Sequence, residues 1–152
     1  MIFMKKIFLI CTVFAFHWAV CQQSKIRVIE SRKIELTSEL SKDKIDFYNQ
    51  YFVKFVQALK VSDKEKIKTL ISDKVKNVVN DNVIGYLSGG ISFDRKMEVY
   101  KSGYQKLDEN ETYPGIQYKY TDDRQEPPGN LITVIFENDG KILGVKPDNG
   151  NK

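Results

Sequence analysis

The stretch SKDKIDFYNQYFVKFVQALKVSDKEKIKTLI, residues 41–71, carries the fold. Ile45, Tyr48, Phe52, Phe55, Val56 and Leu59 recur at intervals of three, four, three, one and three, one stripe of a 3.6-residue helix. Asp46, Asn49, Lys54 and Lys60 fall off that stripe. Ser41 stands where a cap for the free amides belongs, and Asp43 suits the positive end of the helix dipole. Val61 ends the run. Ser62 and Glu65 then have the spacing of a capping box, in which each side chain satisfies the other residue's amide. Ile67, Leu70 and Ile71 give the second helix an inward edge. A long helix breaking into a short capped one predicts a bent pair able to cradle a sheet.

Toward the C-terminus the period changes. Residues 73–90 are ambiguous: Val75, Val78, Val79, Val83 and Ile84 suit strand or buried turn, Asn80-Asp81-Asn82 interrupts them, and Ser88-Gly89-Gly90 reads as a loop. Ser92 is placed to cap a third helix. Phe93, Met97, Tyr100, Tyr104 and Leu107 follow it at intervals of four, three, four and three, with Gly103 weakening the helix by roughly 1 kcal/mol. After Asp108 the alternation of Ile116, Tyr118 and Tyr120 with Gln117 and Lys119 predicts a strand with one buried face. Pro127-Pro128-Gly129 predicts a turn, and residues 131–137 a second strand. Asn138-Asp139-Gly140 is a hairpin signal, because Gly and its Asn or Asp partners tolerate positive φ. Residues 141–146 form the returning strand, which Pro147 is expected to stop. Residues 148–152 read as a loose tail.

This element order resembles the NTF2-like (cystatin-like α+β) superfamily. The residues that carry the likeness are Phe52 to Leu59, then Ser62-Asp63-Lys64-Glu65 and Leu70-Ile71, with the hairpin from Leu131 to Val145 in agreement. The likeness covers roughly Ser41 to Pro147 and rests on element order and lengths, with no diagnostic motif. It implies an α+β fold in which the N-terminal helices pack on a curved, mainly antiparallel sheet wrapped into a cone. Domains of this family serve as isomerases, dehydratases, carriers and partner-binding modules, so the fold does not choose a function.

At the other end, Met1 to Lys6 form a basic head and Ile7 to Val20 a run of mostly apolar and aromatic residues free of charge, ending in Ala19-Val20-Cys21 with small side chains at two positions. That layout is a secretory signal peptide, residues 1–21. Its removal takes His17, Trp18, Cys11 and Cys21 with it and leaves Gln22 to Lys152, 131 residues suited to one domain at 41–147. Residues 22–40 are an extension or tether, in which Ile26, Val28, Ile34 and Leu36 alternate as in short strands. The exported product is periplasmic or extracellular. Cys21 has a second reading, as the lipidated first residue of a lipoprotein, although Val20 before it is larger than the Gly, Ala or Ser normal there. A lipid on Cys21 is the one membrane attachment the sequence offers.

Composition excludes more than it proposes. Cleavage leaves 22 basic against 20 acidic residues, mostly Lys interleaved with acids, so no basic face for nucleic acid is expected. Without a His, a Ser-His triad or His-dependent dehydratase cannot be built in one mature chain. Zinc and copper lose their usual ligands, no metal or cofactor is expected, and residues 108–111 lack the ligand spacing of an EF-hand loop. Tyr100 and Tyr104 share one stripe of the expected third helix, while Tyr118 and Tyr120 share one strand face. They line an aromatic cavity or interface, or they close the core with hydroxyls at its rim. The function expected is that of an exported non-catalytic domain binding a partner protein, peptide or small apolar ligand, with a homodimer permitted. The alternatives are an isomerase- or hydratase-like enzyme using a carboxylate and a Tyr inside the cone, and an immunity-type inhibitory protein.

Overall fold

The apolar stripe of residues 45–59 forms α1 (Lys42–Lys60), with Tyr48, Phe52, Phe55, Ala58 and Leu59 buried along it. The coordinates are a computed structural model that describes residues 36–107 and 111–149, all within one compact unit, Ile34–Lys152. The signal peptide at 1–21, Cys21, the extension up to residue 35 and the acidic run at 108–110 lie outside the described residues. Ser41 occupies the N-cap position but makes no side-chain cap, and Asp43 supplies the acidic first turn.

α1 ends differently from the expected capping box. The amide of Ser62 donates to the Leu59 carbonyl at 3.1 Å and that of Asp63 to the Ala58 carbonyl at 2.9 Å, with Ser62 at φ 54°. That is a Schellman ending, with Ser62 in the left-handed position usually held by Gly. Since Ser62 closes α1, it cannot cap the next helix. Asp63 does so instead, its carboxylate accepting from the Lys66 amide at 2.9 Å to open α2 (Lys64–Leu70).

Residues 73–90 resolve as turns followed by α3 (Asp81–Gly90), capped by Asn80, whose side-chain oxygen accepts from the Val83 amide at 3.1 Å. The Ser88-Gly89-Gly90 segment is therefore the end of a helix and not a loop. Gly90 is needed there, because a Cβ would meet the Pro147 ring at 2.7 Å.

The helix expected at 92–107 is instead β1 (Met97–Lys106). A bulge between Val99 and Lys101 explains the misleading period. Met97, Val99, Ser102 and Tyr104 face the same side, but the extra residue makes the step from Val99 to Ser102 odd. An alternating pattern interrupted in this way imitates helical spacing. β2 (Thr112–Tyr120), β3 (Asn130–Phe136) and β4 (Ile142–Asn149) complete a curved, fully antiparallel sheet in the order β1-β2-β3-β4. The fold class is α+β. The Asp-Gly hairpin forms as expected, with Gly140 at φ 90° and its amide donating to the Glu137 carbonyl at 3.0 Å. Pro147 does not stop β4, which runs on to Asn149. β4 is an edge strand, where a missing N–H leaves no ladder bond unmade.

The core lies between the helices and one sheet face. Tyr118 pairs with Ile132 and Ile116 with Val134 across β2 and β3, and all four are at most 2 % exposed. Phe52 stacks on Tyr118 with ring centroids 4.4 Å apart, and Tyr48 on Phe136 at 4.9 Å. Burial of each such side chain contributes roughly 1.5–3 kcal/mol.

Candidate functional site

The helices do not cover the whole sheet. The side of α1 carrying Ile45, Asn49, Phe52, Val53, Val56 and Gln57 faces the start of β1, and two depressions follow that seam. One is a groove of about 230 Å³ lined by Asn49, Phe52, Val53, Val56, Gln57, Met97 and Tyr118. The other, about 500 Å³, is bounded by Leu36, Ser38 to Leu40, Ile45 and Val99 to Ser102. Asn49 lies one helical turn beyond Ile45, and Met97 lies two residues before Val99, so the hollows are neighbours along one edge. Val53 is 45 % exposed in the smaller groove and Val99 38 % exposed in the larger hollow, a large solvent contact for apolar side chains.

Backbone availability accompanies the apolar surface. Among the described residues β1 is paired on its outer side only by Thr37, whose amide donates to the Tyr104 carbonyl at 2.9 Å and whose carbonyl accepts from the Tyr104 amide at 2.8 Å. Met97 to Ser102 form the rest of that edge. Leu40 is buried and Leu36 lies over Gly103 and Gly115, so residues 36–40 belong to the domain and not to a tether.

The four tyrosines are not gathered in one cavity. Tyr118 is 2 % exposed at the floor of the smaller groove, and its hydroxyl has no hydrogen-bond partner among the described residues. Burial pushes its phenol well above the usual range. Tyr120 closes the core edge: its hydroxyl accepts from the Ser92 amide at 2.8 Å, and Arg95 lies over its ring at 3.9 Å while clamping Asp122. Tyr104 points to the start of α1, where Lys44 donates to its hydroxyl at 2.7 Å. Tyr100 sits in the bulge and donates to Glu126 at 2.9 Å in the open, and that bond raises its pKa. The expectation that Tyr100 and Tyr104 share a helical stripe fails because β1 is a strand.

A carboxylate beside a tyrosine does occur at Tyr100, but it is solvated and lacks the apolar surroundings that tune an acid–base pair. The smaller groove offers Tyr118 two amides, Asn49 and Gln57, and no acid. Among the described residues no group of three His, Cys, Asp or Glu could hold a metal ion, and no helix is long and apolar enough to cross a membrane.

Asn49, Val53, Val56, Gln57, Met97 and Val99 are the site residues that the sequence reading passed over. Their signal on α1 is Val53, an apolar residue just beyond the main stripe and next to Val56 at its edge. No family model matches the chain, and neither curated proteins nor solved structures yield a match.

Proposed function

We propose that this chain is an exported, NTF2-like binding domain without a catalytic centre, and that the α1–β1 seam takes an extended segment of a partner protein. The observation that carries the reading is the two-way pairing of Thr37 with Tyr104, because it is an extended segment already added to this edge. Strand addition draws affinity from such main-chain bonds and specificity from pockets for alternate side chains. The rest of the edge, Met97 to Ser102, has those pockets beside it. The smaller groove, about 230 Å³, suits a side chain or two, since pockets for whole small ligands run from about 300 to 1,000 Å³. The larger hollow offers Ser38, Glu39, Lys101 and Ser102, which suit a peptide backbone better than an apolar molecule. The bulge between Val99 and Lys101 disfavours flat edge-to-edge pairing of two sheets, and so favours a single inserted segment over a homodimer through β1.

The test is a pull-down with native mass spectrometry on the exported protein and two variants. Val53→Asp/Val99→Asp places one charge in each of the two hollows, while Tyr86→Asp alters an exposed aromatic on α3 outside both linings. The expected result is a partner retained by the wild type and by Tyr86→Asp but weakened at least tenfold by the groove variant. Equal retention by all three proteins, or a small molecule as the sole bound species, would reject the reading.

A further inference from the structure

Resting on the reading that the α1–β1 seam takes an extended segment, we infer that this segment carries an acidic residue between two apolar ones and that Lys101 selects the acid. The inner edge of β1 already shows the alternation. Across the bulge, Ser102, Lys101 and Val99 stand opposite Ile116, Gln117 and Tyr118, so three consecutive residues of β2 span the four from Val99 to Ser102. Ile116 and Tyr118 are buried in the core, and Gln117 between them lies on the face away from the helices. Residues directly opposed in a ladder share a face, so a segment added to the outer edge meets the same order of positions.

The backbone of the outer edge is turned to receive such a segment. Tyr104 exchanges both its N–H and its C=O with Thr37, so Ser102, two residues back, directs its own pair outward as well. A guest residue opposite Ser102 shares the helix side of the sheet, where Leu36, Leu40 and Ile45 border the larger hollow. A guest residue opposite Val99 lies on that same side, beside the exposed valine. Both positions suit apolar side chains.

The guest residue between these two stands opposite Lys101, on the other face. Lys101 is the one cation bordering either hollow, and it makes no ion pair among the described residues. Its ammonium lies 5.0 Å from the centre of the Tyr100 ring, which a bond to Glu126 at 2.9 Å fixes in place. Lys119 lies over the same ring at 6.0 Å but is already paired with Glu98 at 3.3 Å. A positive charge is therefore held beside the open edge where a directly opposed acid is favoured. Glu39 borders the same hollow, and its charge works against an acid at the flanking positions, which confines the acid to Lys101.

A phage-displayed library of random nine-residue peptides tests this, selected on the wild type, Lys101→Glu and Lys101→Gln, each recovered from cells expressing the whole chain. The wild type is expected to enrich Asp or Glu flanked on both sides by apolar residues at least fivefold over the unselected library. Lys101→Glu is expected to keep the apolar flanks and exchange the acid for Lys or Arg, and Lys101→Gln to keep the flanks and lose the charge preference. Apolar alternation without an acid in the wild-type pool, or the same acid preference in all three proteins, would overturn the role of Lys101 and leave strand addition standing. A wild type that enriches no peptide would reject both.

Discussion

Tyr118 combines a large stabilising contribution with a local penalty. Its ring stacks on Phe52 in the core, while its hydroxyl is buried without a partner among the described residues. Leaving such a group unsatisfied costs about 1–3 kcal/mol, so Tyr118→Phe is expected to leave stability unchanged or raise it by about 1 kcal/mol in urea unfolding. The phenol adds a pH effect whose sign is fixed. Its folded pKa is raised, so the unfolded chain releases this proton first, and stability present below about pH 10 declines as pH rises further. Tyr118→Phe should therefore flatten the alkaline limb of a stability–pH curve, and an unchanged limb would contradict that assignment. Asp123 acts in the opposite direction. Its carboxylate accepts from the amides of Gln125 at 3.1 Å and Asn130 at 3.0 Å, which hold its pKa below the usual value, so its contribution is lost on acidification.

At the scale of elements, two junctions depend on unusual backbone. Ser62 ends α1 in the left-handed region at φ 54°, where an L side chain is strained. Ser62→Gly is expected to stabilise the protein by about 0.5–1 kcal/mol, seen as a higher melting temperature, because the relief exceeds the added freedom of the unfolded chain. Gly103 has the opposite sensitivity. A Cβ there would strike the backbone of residues 37 and 38, which cannot yield as a flexible side chain could. Gly103→Ala should cost about 1–3 kcal/mol and loosen the Thr37–Tyr104 bridge first, as faster exchange of the Tyr104 amide. α1, α2 and the Asp-Gly hairpin were legible because local chemistry and burial agree there. β1 was not. Its bulge moved inward-facing residues from an even to an odd spacing, and the five aromatic or apolar residues from Phe93 to Leu107 then matched a helix. α3 carried a readable cap in Asn80 and a stripe through Val79, Val83, Leu87 and Ile91, but its glycines and β-branched residues argued locally against a helix.

Among the described residues, three helices against one face of a four-stranded sheet leave the β1 side incompletely covered. That is why Val53, Val56 and Met97 border the smaller groove and Val99 the larger hollow, while their neighbours Phe52 and Tyr118 are buried. Replacing Phe52 by Ala should remove both core packing and groove floor at a cost of about 3–5 kcal/mol, and would therefore confound a binding test. The Val53→Asp/Val99→Asp variant is preferable, since both residues already meet solvent. Its circular dichroism should match the wild type while partner retention falls. The site was less legible than the fold. The four tyrosines drew attention as a chemical type, yet the structure disperses them to the core, its rim and the outer surface. The groove is made instead of ordinary valines, a methionine and two amides.

From residue order alone came the α+β class, the amphipathic α1, the short α2 and three strands after Asp108, because those features rest on periodicity and turn chemistry within a few residues. Which helix face stays uncovered, where a bulge re-aims β1, and which glycines another segment crosses depend on residues such as Leu36, Gly103 and Gly115. These are distant in sequence and meet only when the chain packs. Local pattern can indicate that a side chain is apolar, but not whether anything arrives to cover it.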